Sequence, residues 1–128
     1  MIDHMTIGAA EFERSAAFYA AALAPLGITR LFDVPLEHTG GVSVCGFGDT
    51  RPWFWLAGDA PTSGTLHVAF AAQTRAEVDA FYAAALAAGG VDNGAPGVRA
   101  HYHADYYGAF ILDPDGHNIE AVCHAPVE

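Results

Sequence analysis

Residues 17–24 read AFYAAALA, and residues 80–87 read AFYAAALA again. The offset is 80 − 17 = 63, and the register extends beyond the repeat itself. Followed backwards it lays His4 on His67, and followed forwards it lays Gly27 on Gly90. An alanine-rich helix can resemble another by chance. One register that also superposes a histidine upstream and a helix-ending glycine downstream marks a duplicated unit.

The repeat organises the rest of the chain. Residues 2–8 and 65–71 are short, apolar and partly β-branched, which predicts a strand at the head of each unit. Helices follow over residues 11–26 and 75–88. The second opens on Thr74-Arg75-Ala76-Glu77, a capping-box pattern, and its Val78, Phe81, Ala85 and Leu86 recur at helical spacing, facing a sheet. Gly27 and the pair Gly89-Gly90 supply the positive φ that ends a helix. Further strands are expected over residues 28–34, 41–48 and 53–57 in the first unit, and over 106–112 and 118–124 in the second. Between the last two, Asp113-Pro114-Asp115-Gly116 is a strong turn, because proline presets φ and glycine tolerates the left-handed region. The Gly/Pro-rich stretch 91–103 holds one short strand. The expected fold is α+β, with two tandem βαβββ modules. Module 1 spans about residues 1–57, residues 58–64 form a linker, and module 2 spans about 65–124, all within one domain of 1–128.

Composition narrows the function classes. Hydrophobic residues make up 52% and charged residues 16%, enough to build a buried core and too apolar for a disordered chain. The net charge of −10, with five arginines and no lysine, excludes a nucleic-acid partner, since phosphate contacts need clustered cations. No apolar run reaches the length of a membrane helix, and the N-terminus MIDHMTIG lacks the basic and apolar regions of a secretory signal. A cytoplasmic protein with Cys45 and Cys123 as reduced thiols is expected.

Strand alternation sorts the chemistry-bearing residues by face. With Met5 and Ile7 packed under the first helix, His4 points the other way. With Leu66, Val68 and Phe70 under the second, so does His67. In the last strand Ile119 and Ala121 take the helix side, which turns Glu120 onto the face opposite. A buried carboxylate is costly without a compensating cation or hydrogen-bond donors. Two histidines and one carboxylate on a shared face form a facial ligand set with open positions for substrate.

The histidine near the start of each unit, and the glutamate in DPDGHNIEAV (residues 113–122) after the turn, resemble the vicinal-oxygen-chelate superfamily of glyoxalases, bleomycin-resistance proteins and ring-cleaving dioxygenases. The resemblance runs from Ile2 to His124. It implies modules curled into a sheet-lined cup with helices outside, formed within one chain or by exchange between two, and a homodimer by analogy. It also implies one divalent ion (Fe, Mn, Zn, Ni or Co) on His4, His67 and Glu120, binding a small substrate through adjacent oxygens. The family's fourth ligand position falls in residues 53–57, with Trp55 at the slot. Lyases of the glyoxalase type use four protein ligands, whereas extradiol dioxygenases use His-His-Glu. Counting back without gaps places His101 on the dioxygenases' acid/base histidine. Their accompanying tyrosine falls on Phe110, with Tyr106 and Tyr107 nearby, and a further histidine falls on Pro52.

Glu120 and His101 are thus the expected catalytic residues. Trp53, Trp55, His103, Tyr106, Tyr107, Phe110 and Arg99 are candidates for the substrate pocket. Each has a plainer reading beside it: the tryptophans as core or dimer contacts, the histidines and tyrosines as a polar edge, and Arg99 and Arg51 as solvated loop arginines. His38, His117 and His124 are read as ordinary histidines. Two function classes remain open. One is a metal-dependent enzyme, either dioxygenase-like or a lyase/isomerase. The other is a non-catalytic binder of the bleomycin-resistance type, which the acidic charge and the two tryptophans suit.

Overall fold

The computed structural model describes residues 1–127 and shows the two-module α+β architecture. Module 1 runs β1 (Met5–Gly8), α1 (Phe12–Leu23), β2 (Thr29–Asp33), β3 (Val44–Gly48) and β4 (Pro52–Ala57). Module 2 repeats the order as β5 (His67–Ala71), α2 (Arg75–Ala87), β6 (Val91–Val98), β7 (Tyr107–Leu112) and β8 (Asn118–Cys123). Each module closes one four-stranded sheet, β1-β4-β3-β2 and β5-β8-β7-β6. In both, the first strand is an edge strand that runs parallel to the last.

The pairing register repeats along with the sequence. Thr6 stands opposite Trp55, and Ala69, which is 63 residues beyond Thr6, stands opposite Glu120. Trp55 therefore occupies in module 1 the sheet position that Glu120 occupies in module 2.

The helix ends follow their local signals. Thr74 caps α2 by accepting from the Glu77 N–H at 3.1 Å, and Glu77 accepts in return from the Gln73 N–H at 3.2 Å. Val78, Phe81 and Ala85 are buried as expected, but Leu86 is exposed, because it lies just beyond the apolar stripe. The stretch expected to hold one short strand instead forms the eight-residue β6. Its register slips around Gly94 and again before Gly97. It also carries Pro96, which an edge strand tolerates because no partner needs the missing N–H.

Helix-side residues of both modules merge into one core. Phe54 of sheet 1 meets Phe70 of sheet 2 edge-on, with ring centroids 5.1 Å apart. The hydroxyl of Tyr19 on α1 donates to Asp113 of the DPDG turn at 2.5 Å. The helix-bearing faces are therefore turned toward each other, and each sheet keeps its opposite face bare. Each bare face has its module's helix behind it.

Candidate metal centre

Alternation along β8 sends Ile119, Ala121 and Cys123 into the core and leaves Asn118, Glu120 and Val122 on the bare face. Glu120 is 0% exposed. Its Oε1 accepts from Nε2–H of His67 at 2.9 Å, and its Oε2 accepts from the Tyr106 hydroxyl. A carboxylate taken out of water needs strong compensation. Here the compensation comes from an imidazole and a phenol, neither a permanent cation.

Gly108 makes room for this pair. A Cβ there would lie 3.0 Å from Glu120 Oε2 and 3.2 Å from the Tyr106 ring. Gly46 plays the matching part in module 1, where a Cβ would come within 2.8 Å of the Trp55 ring. Trp55 lies over that glycine with Phe32 edge-on at 6.4 Å, so the position equivalent to Glu120 holds an aromatic wall.

The donor set fits a divalent ion. Two ligands bound at about 2.0–2.2 Å and at right angles lie about 3 Å apart, so the 2.9 Å separation of His67 Nε2 and Glu120 Oε1 suits a shared ion as well as a hydrogen bond. His67 remains 45% exposed, which leaves an approach open from the bare side.

His4 is not brought to this pair within one chain. Its side chain is 60% exposed, and its Nδ1 lies 2.7 Å from Asp3 Oδ1. Arg51 holds the other Asp3 oxygen at 2.9 Å, and the two hydrogen bonds keep the Asp3 carboxyl below its usual range. With Nδ1–H donating to Asp3, Nε2 of His4 is the nitrogen left to ligate. His4 and His67 do line one groove of about 620 Å³ together with Arg51, Trp53 and Phe70. The groove runs along the unpaired edges of β1 and β5.

The remaining candidates separate clearly. Phe110 stands beside Glu120 in the register, with its ring 6.0 Å from that of His67. Arg99 is half-buried: it lies over Phe110 and donates to the carbonyls of Gly97 and Ala95 at 2.8 Å. Trp53 packs on Phe70, with centroids 5.9 Å apart. Tyr107 points away from the bare face, because alternation from Tyr106 turns it to the helix side. There it donates to Asp79 at 2.6 Å beneath Arg75. His101 is exposed, with its ring tilted at 47° against that of Tyr102, and it makes no hydrogen bond to Glu120. His103 instead meets His124, Nε2 to Nδ1, at 2.5 Å. The two-residue spacing 120, 122, 124 is the sequence signal for this place of His124, which its reading as an ordinary histidine passes over.

A second group of ligand-type residues sits in the turn. Asp113, Asp115 and His117 have ligand atoms within 4.8 Å of one another, the only group of three or more among the described residues. Asp113 is already engaged there. Its Oδ1 accepts from the N–H groups of Asp115 and His117, both at 2.9 Å, and its Oδ2 accepts from Tyr19. Asp115 also accepts weakly from the Ala10 N–H. The turn therefore fastens module 2 to module 1, while the buried Nε2 of His117 has no partner. Both cysteines are buried and free.

The model of the Glyoxalase/Bleomycin resistance protein/Dioxygenase superfamily matches residues 1–121, and the chain belongs to that superfamily. A glyoxalase/bleomycin resistance protein from Albidiferax ferrireducens T118 is similar at 30% identity and a TM-score of 0.72, over 97% of this chain and 98% of that one. A family enzyme from Burkholderia phytofirmans PsJN shares the fold at 18% identity and a TM-score of 0.72, over 97% and 98% of the two chains. Glyoxalase I from Zea mays shares it at 18% identity and a TM-score of 0.73, where 98% of this chain covers 45% of that one. No curated protein sequence matches the chain. No helix among the described residues is long and apolar enough to cross a membrane.

Proposed function

We propose that the chain is a metal-dependent enzyme acting on a small substrate with two adjacent oxygens. His67 and Glu120 of one copy, joined by His4 of a second, would hold one divalent ion. The observation that carries this reading is the fully buried Glu120, paired with His67 at 2.9 Å on a bare sheet face without a cationic side chain bonded to it. A sequestering protein has no use for a carboxylate buried at such cost.

A divalent ion bound there would supply Lewis acidity toward the substrate oxygens. The chain's own residues do the rest. His67 and Glu120 fix the ligand positions, Phe110 gives an apolar floor, and Trp55 leaves the equivalent position of module 1 without a ligand. Three ligands rather than four favour a dioxygenase-like site over a glyoxalase-like lyase or isomerase. Acid/base work would fall to His101 only if its loop closes over substrate.

A homodimer is part of this reading, supported by β1 and β5, each unpaired along its outer edge, and by the exposed His4. A second copy that laid module 1 over module 2 would close a cup and bring His4 to the pair. Mixing His4→Ala and Glu120→Gln chains tests this. Heterodimers would regain one intact site, so metal uptake should appear in the mixture and in neither parent. A mixture as inert as its parents would refute the shared site.

A second reading has its own support. Trp55 and Phe32 form an aromatic wall on an acidic protein, which suits a non-catalytic binder of a cationic ligand. Protein that takes up no metal but binds aromatic cations would establish it.

A further inference from the structure

The loop between β6 and β7 delivers one side chain to Glu120 and is itself pinned in place. Arg99 N–H donates to the Tyr106 carbonyl at 2.7 Å, and Tyr106 N–H donates to the His103 carbonyl at 3.2 Å. The Tyr106 ring is packed by Tyr102, His103 and His124, with centroids at 4.8, 5.8 and 5.3 Å. His103 Nδ1 accepts from the Asp105 N–H at 3.0 Å, so that nitrogen carries no proton. Its Nε2–H then donates to Nδ1 of His124, the residue that follows β8. The loop is thus tied to the strand that bears Glu120, and the tie sets where the phenol can reach. Gly108 keeps the space beneath the contact clear.

We propose that Tyr106 is a positioning residue of the metal centre: its hydroxyl reserves Oε2 of Glu120, so that the carboxylate meets a cation through Oε1 alone. This rests on the reading of Glu120 as a ligand. The two contacts divide the carboxylate, with Oε2 on the Tyr106 hydroxyl and Oε1 on the His67 side, so Glu120 is oriented toward a cation in a single coordination mode.

Co(II) serves as the probe, because its visible absorption reports coordination number as well as binding. Tyr106→Phe should weaken Co(II) binding about 10–100-fold, the usual cost of removing a group that orients a ligand. It should also lower the intensity of the visible bands, as Glu120 gains freedom to bind through both oxygens. Gly108→Ala crowds the same contact from below and should shift the bands in the same direction. His103→Ala should weaken binding, and Tyr106→Phe combined with His103→Ala should be no worse than Tyr106→Phe alone, since both act through one contact. Wild-type affinity and spectrum in Tyr106→Phe would overturn the proposal while leaving the metal site standing. Folded wild-type protein that takes up no Co(II) would remove the metal reading and this inference with it. A lowered melting temperature with unchanged Co(II) bands would reduce Tyr106 to a packing residue.

Discussion

Glu120 and Cys45 both lie buried on sheets of one chain, and their surroundings give them opposite tasks. Glu120 faces hydrogen-bond donors on the bare side of β8, while Cys45 faces the apolar core from β3. Burial pushes the Cys45 thiol up to about 11, only partly offset by the charge of Arg30. A folded value above the unfolded one of about 8.5 means that the unfolded chain releases the proton first. Stability should therefore fall as pH rises through the window from about 8.5 to about 11. The fall should be shallower in Cys45→Ala, as read by urea denaturation at stepped pH. Identical slopes would show that this thiol does not couple to folding. At pH 8 the native protein should react slowly with a thiol reagent and expose two thiols once unfolded. Fast reaction in the native state would contradict the burial of both cysteines.

Among the elements, α2 shows how far local sequence governs structure. Its capping box is present in the hydrogen bonds, and Thr74→Ala should cost about 1 kcal/mol in a denaturation experiment. A loss near zero would show that packing of Val78, Phe81 and Ala85 alone sets that helix end. The repeat made both modules legible, because His4 with His67 and Gly27 with Gly90 fixed one register across strand, helix and turn. It also located Glu120 and His67 on one face, since alternation needs only the spacing of apolar residues. The length of β6 was hidden, because its glycines and Pro96 read as loop while the strand tolerates them at a sheet edge. That Tyr107 meets Asp79, not Glu120, is hidden for a similar reason. Two adjacent tyrosines look alike in sequence, and only the start of β7 decides which one faces Glu120 and which one Asp79. The partner of His103 escaped notice because contacts across a loop and a chain end have no local signature.

At the scale of the whole molecule, the two modules are joined by a core contact and a polar fastening. Phe70 lies between Trp53 and Phe54, and Phe70→Ala should cost about 3–5 kcal/mol, measured by chemical denaturation. A loss below about 1 kcal/mol, the size of a surface change, would mean that the modules are held mainly elsewhere, for instance by Tyr19 and Asp113. The turn group Asp113–Asp115–His117 offers a rival place for a cation, so occupancy must be tied to residues. The most direct measurement is metal stoichiometry of purified protein after equilibration with Fe(II), Mn(II), Zn(II), Ni(II) or Co(II), comparing wild type, Glu120→Gln and Asp115→Asn. About one ion per chain is expected for wild type and Asp115→Asn, and none for Glu120→Gln. Full occupancy in Glu120→Gln, or loss confined to Asp115→Asn, would contradict it.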